Sequence, residues 1–221
     1  MTVLHHIPFS RSFRILWLLQ EMGIDCDLKY YSITDGSLRA EDFRAVSPAG
    51  RVPALEIDGI TIYESPAIVE YLCETRPEKG LGRFAGDAER VAFLEWLGFA
   101  ETQASILASL NMQHLFMGDP TPASPQVLKL EAARLAATLK AMNRKLEGRD
   151  WLLPSGFSAV DCMMGFNLFS APYYVRLDRF ENVVAYRDRI MARAGYQAAR
   201  AMDGEQQFYA KDFYPVPGEE G

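Results

Sequence analysis

The stretch Ser47–Leu72, SPAGRVPALEIDGITIYESPAIVEYL, constrains the fold more than any other part of the chain. Two short runs with strand character, Pro53–Ile57 and Ile60–Tyr63, are separated only by Asp58-Gly59. Asp and Gly tolerate the backbone of a two-residue antiparallel turn, so these runs are expected to pair as a hairpin. Glu64, Ser65 and Pro66 follow at once, then an apolar stripe at Ile68, Tyr71 and Leu72. Pro suits the first helical position and Ser the place before it, so the spacing predicts a helix from Pro66 with Ser65 as N-cap. Ile68 stands where a capping box needs Glu or Gln, which leaves amides of that helix open to an anion. Pro53 has no N–H for a ladder and belongs at a strand's start. A cis Val52–Pro53 bond would turn the Val52 amide and carbonyl outward, where an extended peptide could pair with them. An outward edge beside an open helix end suits a small anionic peptide.

Upstream, Thr2–His6 reads as a strand ended by Pro8. Ile15, Leu18, Leu19 and Met22 then fall at i, i+3, i+4 and i+7, the pattern of an amphipathic helix, closed by Gly23. Asp27–Ser32 is a second strand, and a strand–helix–strand of this length implies a parallel pair. Glu41–Val46 is a short helix, which completes the order βαβ–α–ββα by about Arg76. Pro77–Gly86, with three glycines and a proline, reads as a linker, and everything after it looks helical. Asp87 caps a long helix reaching roughly Met117, with Val91, Leu94 and Leu97 expected on its inner face. Gly118–Pro125 breaks the pattern. Leu128, Leu135, Leu139, Met142 and Leu146 mark the next helix, ended by Gly148. Ser158 with Asp161 three residues on predicts a capping box, a closed helix start that serves stability. Stretches near Glu181–Arg193 and Tyr196–Met202 precede a Gly-, Pro- and acid-rich tail.

Ser47-Pro48-x-Gly50-x-Val52-Pro53-Ala54-Leu55, the Asp58-Gly59 turn and Glu64-Ser65-x-Ala67-Ile68, in this order, resemble the glutathione-binding half of the glutathione transferase family. The likeness extends through about Met202. It implies an α/β plus all-α chain: a thioredoxin-like domain over residues 1–77, a linker over 78–86 and an all-helical domain over 87–221 that holds an electrophile pocket. It also implies glutathione as co-substrate, with the backbone of Val52, ahead of Pro53, meeting the cysteinyl part. Glu64 and Ser65 would then hold the γ-glutamyl end, and Arg51 would approach the glycyl carboxylate.

The turn Pro8–Ser12 joins the first strand to the first helix, at a strand's carboxyl end where ligands gather in such sheets. A hydroxyl there that donates to a sulfur favours the thiolate, the attacking species, and lowers the thiol pKa from its usual ~8.5. Ser10 and Ser12 both qualify, and Ser12 is the better N-cap. The run Ser10-Arg11-Ser12-Phe13-Arg14 followed by Leu16-Trp17-Leu18-Leu19 is similar to bacterial and fungal serine-type members, which favours Ser10. The resemblance also offers Phe9, Phe99, Glu101 and Tyr173 for the pocket of a hydrophobic electrophile, and it implies a homodimer.

A net charge of −6 with no Lys/Arg cluster lacks the footprint of a nucleic-acid binder. No apolar run approaches membrane-spanning length, and the first residues lack a signal peptide's layout. Cys26, Cys73 and Cys162, odd in number and widely spaced, argue against a disulfide framework or zinc site and for a reducing, cytoplasmic setting. His5 and His6 alternate across a strand and cannot share a metal. The leading function is conjugation of the glutathione thiolate to an electrophile. Glutathione-dependent isomerisation, dehalogenation or peroxide reduction use the same thiolate, and a non-catalytic binding module is the alternative outside enzymology.

Overall fold

The computed structural model describes residues 1–117 and 122–216. Gly118 to Thr121 of the expected break, and the end of the acidic tail, lie outside the described residues. Strands β1 (Val3–His6), β2 (Asp27–Tyr30), β3 (Ala54–Ile57) and β4 (Ile60–Tyr63) form one sheet in the order β2-β1-β3-β4. β1 pairs β2 in parallel through α1 (Phe13–Met22), while β3 runs antiparallel to both β1 and β4. That is the thioredoxin-like arrangement expected from the sequence. Ile57 faces Ile60 across the turn, where Asp58 and Gly59 both adopt positive φ. Two further helices, α2 (Glu41–Val46) and α3 (Ser65–Thr75), complete this part.

The helical remainder comprises α4 (Arg90–Asn111), α5 (Pro125–Lys145), α6 (Ala159–Ser170), α7 (Glu181–Met191) and α8 (Ala194–Asp203). The chain forms two compact units. One is Met1–Phe93 with Met191–Gln207, and the other is Leu94–Ile190 with the described residues from Phe208 onward. The linker drawn from sequence at 78–86 falls inside the first unit.

Within the first unit, α8 returns to pack on α1. Tyr196 sets its ring edge-on to Trp17 and Phe13, at centroid distances of 5.3 and 5.5 Å. Arg193 forms a two-pronged ion pair with Glu21, at 2.8 and 2.7 Å. α1 is therefore not the half-exposed amphipathic helix its spacing suggested. Phe13 through Leu19 are all buried, because one face meets the sheet side and the other meets α8.

The phase of α4 also departs from expectation. Val91 and Leu94 are 69% and 45% exposed, whereas Phe93, Leu97, Ala100, Ala104 and Leu107 are buried. Both sets repeat at helical spacing, and the Phe93 ring together with the small Ala100 and Ala104 chooses the inward stripe. α6 is enclosed on every side, with Asn167 donating to the Ala100 carbonyl at 2.9 Å. Its start carries the predicted capping box, in which Asp161 accepts from the Ser158 amide at 2.8 Å.

Gly50 shows where backbone freedom is required. It sits at φ 61°, and a Cβ there would lie 2.8 Å from the Leu38 carbonyl oxygen. Positive φ costs an L-residue about 1 kcal/mol before that clash is relieved. Gly50→Ala is expected to lower stability by about 2 kcal/mol, measured by chemical denaturation; unchanged stability would contradict this placement.

Candidate functional site

An open cleft in the first unit, with about 240 Å³ of empty space, is lined by Arg11, Ser47, Arg51, Val52, Pro53, Glu64 and Ser65. The fold thus gathers all five residues singled out from sequence as binding positions, Arg51, Val52, Pro53, Glu64 and Ser65.

Each arrives by a local cause. The Val52–Pro53 bond is cis, and the β3 ladder begins only at Ala54, so the Val52 backbone stands ahead of the paired rungs. The Ser47 hydroxyl donates to the Arg51 carbonyl at 2.7 Å and accepts the Arg51 amide at 3.3 Å, which pins the loop leading to Val52. Sequence reasoning placed Ser47 in the motif without giving it this role, and it passed over Arg11 as a lining residue. A hydroxyl four residues before a loop carbonyl was the available signal for Ser47. Nothing in the local pattern marked Arg11.

Ser65 requires a correction. Glu64, not Ser65, is the N-cap of α3, and its side chain makes no capping bond. Glu64 takes a positive φ of 72°, which turns the chain from β4 into the helix one residue early. Ser65 becomes the first helical residue, nearly buried, and its hydroxyl is not consumed by capping. Pro66 removes one amide from that first turn, leaving those of Ser65 and Ala67 ahead of the Ile68 amide bonded to Glu64. The helix end is open, as expected, though by a different route.

The Pro8–Ser12 turn also differs from its sequence reading. Ser12 occupies the N-cap position of α1, but its hydroxyl does not cap. It lies 2.8 Å from His6 Nδ1, accepts the Ile7 amide at 3.2 Å, and lies 2.8 Å from Ser10 Oγ. Ser12 is fully buried, whereas Ser10 is partly accessible. Phe9 has φ 57°, a conformation an aromatic residue rarely adopts. The Asp203 carboxylate accepts its amide, and the Arg200 guanidinium lies 4.2 Å above its ring. His5 and His6 diverge as alternation requires: His5 meets Tyr31 and Glu56, and His6 meets Ser12 and Asp203.

The remaining positions lie in the second unit. Phe99 packs edge-on to Trp96 at 5.4 Å, Glu101 is half-buried, and Tyr173 stacks on Tyr209 at 3.8 Å. The cysteines are unsuited to nucleophilic work. Burial pushes the Cys26 thiol up to about 11 and the Cys73 thiol to about 12, and Cys162 is buried as well.

A family model described as glutathione S-transferase, N-terminal domain, matches residues 9–75. Glutathione S-transferase 3 of Schizosaccharomyces pombe is 30% identical over 187 residues, spanning 77% of this chain and 74% of that relative. The chain belongs to the glutathione S-transferase family. Its similarity to the maleylacetoacetate isomerase of Mus musculus is higher but shorter, 47% over 70 residues, or 31% of this chain and 32% of that one. Among solved structures, a sphingomonad glutathione S-transferase complexed with glutathione superposes with a TM-score of 0.79 at 26% identity, covering 91% of this chain and 98% of that one. The family places a thioredoxin-like unit ahead of a helical one, in agreement with the fold described above. Among the described residues, no helix is long and apolar enough to cross a membrane.

Proposed function

We propose that the protein conjugates glutathione to hydrophobic electrophiles, with Ser10 as the thiol-activating hydroxyl. The observation that carries this reading is the cleft itself, which unites the Val52 backbone, just ahead of the β3 ladder, with the open end of α3 at Ser65. Glutathione presents a peptide backbone between two carboxylates and carries one ammonium. The Val52 backbone pairs with the cysteinyl segment. Ser65 and the first amides of α3 take the γ-glutamyl carboxylate, Glu64 takes the ammonium, and Arg51 takes the glycyl carboxylate. Ser10 does not itself line the cleft but directly precedes Arg11, which does, and it is partly accessible, whereas Ser12 is buried.

The thiol releases its proton to water, and the Ser10 O–H donates to the resulting thiolate. The sulfur lone pair then forms a bond to the electrophilic carbon, and the leaving group departs with the electron pair of the broken bond. Phe99 and Tyr173, with Glu101, are the second-unit positions assigned to the electrophile. The same reading makes the protein a cytoplasmic homodimer. The exposed Val91 and Leu94 side chains on α4 support self-association, which sedimentation would check.

Ser65→Ala is expected to weaken glutathione binding about 10- to 150-fold, the effect of one lost hydrogen bond to a charged group, while the bound thiol titrates as before. Calorimetric titration checks the first part; unchanged affinity would remove Ser65 from the site. A wild-type protein giving no heat at millimolar glutathione would favour the non-catalytic binding module.

The match to a maleylacetoacetate isomerase favours a second reading, glutathione-dependent isomerisation. There the thiolate adds to a conjugated carbon, the double bond rotates, and the thiolate leaves unchanged. A panel of electrophiles, maleylacetoacetate-type substrates and hydroperoxides separates these readings: conjugation consumes glutathione one-for-one, whereas isomerisation consumes none.

A further inference from the structure

Behind the accessible Ser10 hydroxyl, the fold buries three polar side chains in one hydrogen-bonded row. Ser10 Oγ lies 2.8 Å from Ser12 Oγ, which lies 2.8 Å from His6 Nδ1. His6 Nε2 lies 3.2 Å from the Asp203 carboxylate and 3.1 Å from the Asp203 carbonyl oxygen. Ser12, His6 and Asp203 are each 0% exposed. Asp203, at the end of α8, also accepts the Phe9 amide and pairs with Arg200, so one carboxylate holds both the imidazole and the turn that carries Ser10.

Proton counting restricts this row to two polarities. Nε2 faces only acceptors and must carry a hydrogen, so only Nδ1 can vary. If Nδ1 is bare, Ser12 donates to it, and only Ser10 can supply the proton for the 2.8 Å contact between the serines. The Ser10 O–H then points inward. If Nδ1 carries a proton, the row reverses: Nδ1–H donates to Ser12, and Ser12 donates to Ser10. Ser10 Oγ also accepts the Ser12 amide at 3.3 Å, and its own O–H is left to point out. The Ile7 carbonyl, 3.2 Å from Ser12 Oγ, competes for the Ser12 proton at a longer distance.

A buried imidazolium is tolerable only beside a compensating charge, and the Asp203 carboxylate faces it, with one oxygen toward His6 and the other toward Arg200. The titratable and charged groups around His6 are Asp203, with Arg200 behind it, from α8, and Tyr30 from β2, whose ring meets the imidazole edge-on at 5.6 Å.

We propose that His6 and Asp203 are positioning residues that hold a proton on Nδ1 and so, through Ser12, turn the Ser10 hydroxyl outward toward the sulfur of a bound thiol. This rests on the assignment of Ser10 made above. The test follows the ultraviolet absorbance of the thiolate against pH in the full chain saturated with glutathione. His6→Leu and Ser12→Ala should each raise the titration of the bound thiol by about one unit, roughly tenfold less thiolate in the limiting region. Both cuts fall in one row, so the double variant should shift it no further than either alone. His6→Asn, whose amide can donate from the Nδ1 position, should restore the wild-type titration.

Additive shifts, or no rescue by Asn, would overturn the proposal. Ser10→Ala separates the two levels. No shift in that variant would remove Ser10 from the thiol and with it the basis of the row. A shift in Ser10→Ala without one in His6→Leu or Ser12→Ala would leave Ser10 standing and overturn the row. If His6→Leu does not fold, Ser12→Ala decides alone.

Discussion

Ser10→Ala is expected to lower the conjugation rate roughly 25-fold near pH 7 while leaving the glutathione KM close to its wild-type value. The figure is the ratio of thiolate fractions for a thiol titrating near ~6.5 and one near ~8.5. The sign of the pH dependence follows from the same comparison. On the proposed mechanism the bound thiol titrates below its ordinary value because the hydroxyl favours the charged form. The loss is therefore largest at and below neutral pH, and it nearly vanishes by about pH 9, where both thiols are ionised. Steady-state rates across this range decide the matter. A loss that persists at high pH would mean that Ser10 does something other than ionise sulfur. Full activity at neutral pH would remove it from the mechanism.

Asp161→Ala is expected to produce the largest loss of stability, about 3–5 kcal/mol in chemical denaturation. Its carboxylate is fully buried and accepts from the Ser158 amide at 2.8 Å, the Ser158 hydroxyl at 3.2 Å, the Leu152 amide at 3.2 Å and the Tyr186 hydroxyl at 2.8 Å. Truncation strands these donors in the interior. Burial pushes the Asp161 carboxyl up to about 6 from an ordinary 3.8, against the hydrogen bonds that pull it down. Between those values the folded chain keeps a proton that the unfolded chain has released. The contribution of Asp161 to stability is therefore fully present below about pH 4 and falls as pH rises through about 6. Asp161→Asn should abolish that slope in melts taken across the window. Wild-type stability in the Ala variant would contradict the burial and bonding described.

The local parts of this protein were legible in its sequence because local chemistry determines them. Asp58-Gly59 allows only a tight turn between β3 and β4. Pro53 cannot join a ladder, and Ser158 and Asp161 can satisfy one another across one helical turn. What escaped was set by contacts distant in sequence. The periodicity of α1 shows one apolar face, but Phe13 and Trp17 are covered on the other side by Tyr196 of α8, nearly two hundred residues away. The same return brings Asp203 to His6 and Phe9, and no spacing rule links residue 203 to residue 6. Ser65 shows a subtler limit. Its place as cap or first helical residue turns on the φ of Glu64, a conformation residue type alone did not suggest. Val91 and Leu94 were assigned inward because two apolar stripes share α4, and only packing chooses between them.

The central claim is that an extended tripeptide thiol lies along the Val52 backbone, ahead of the β3 ladder, with its γ-glutamyl end at Ser65. A crystal structure of the protein with glutathione tests it most directly. The account predicts backbone hydrogen bonds between the cysteinyl segment and Val52, a carboxylate at the Ser65 hydroxyl, and the sulfur within hydrogen-bonding distance of Ser10 Oγ. Glutathione bound away from Val52 and Ser65, or bound there with its sulfur beyond the reach of Ser10, would contradict it.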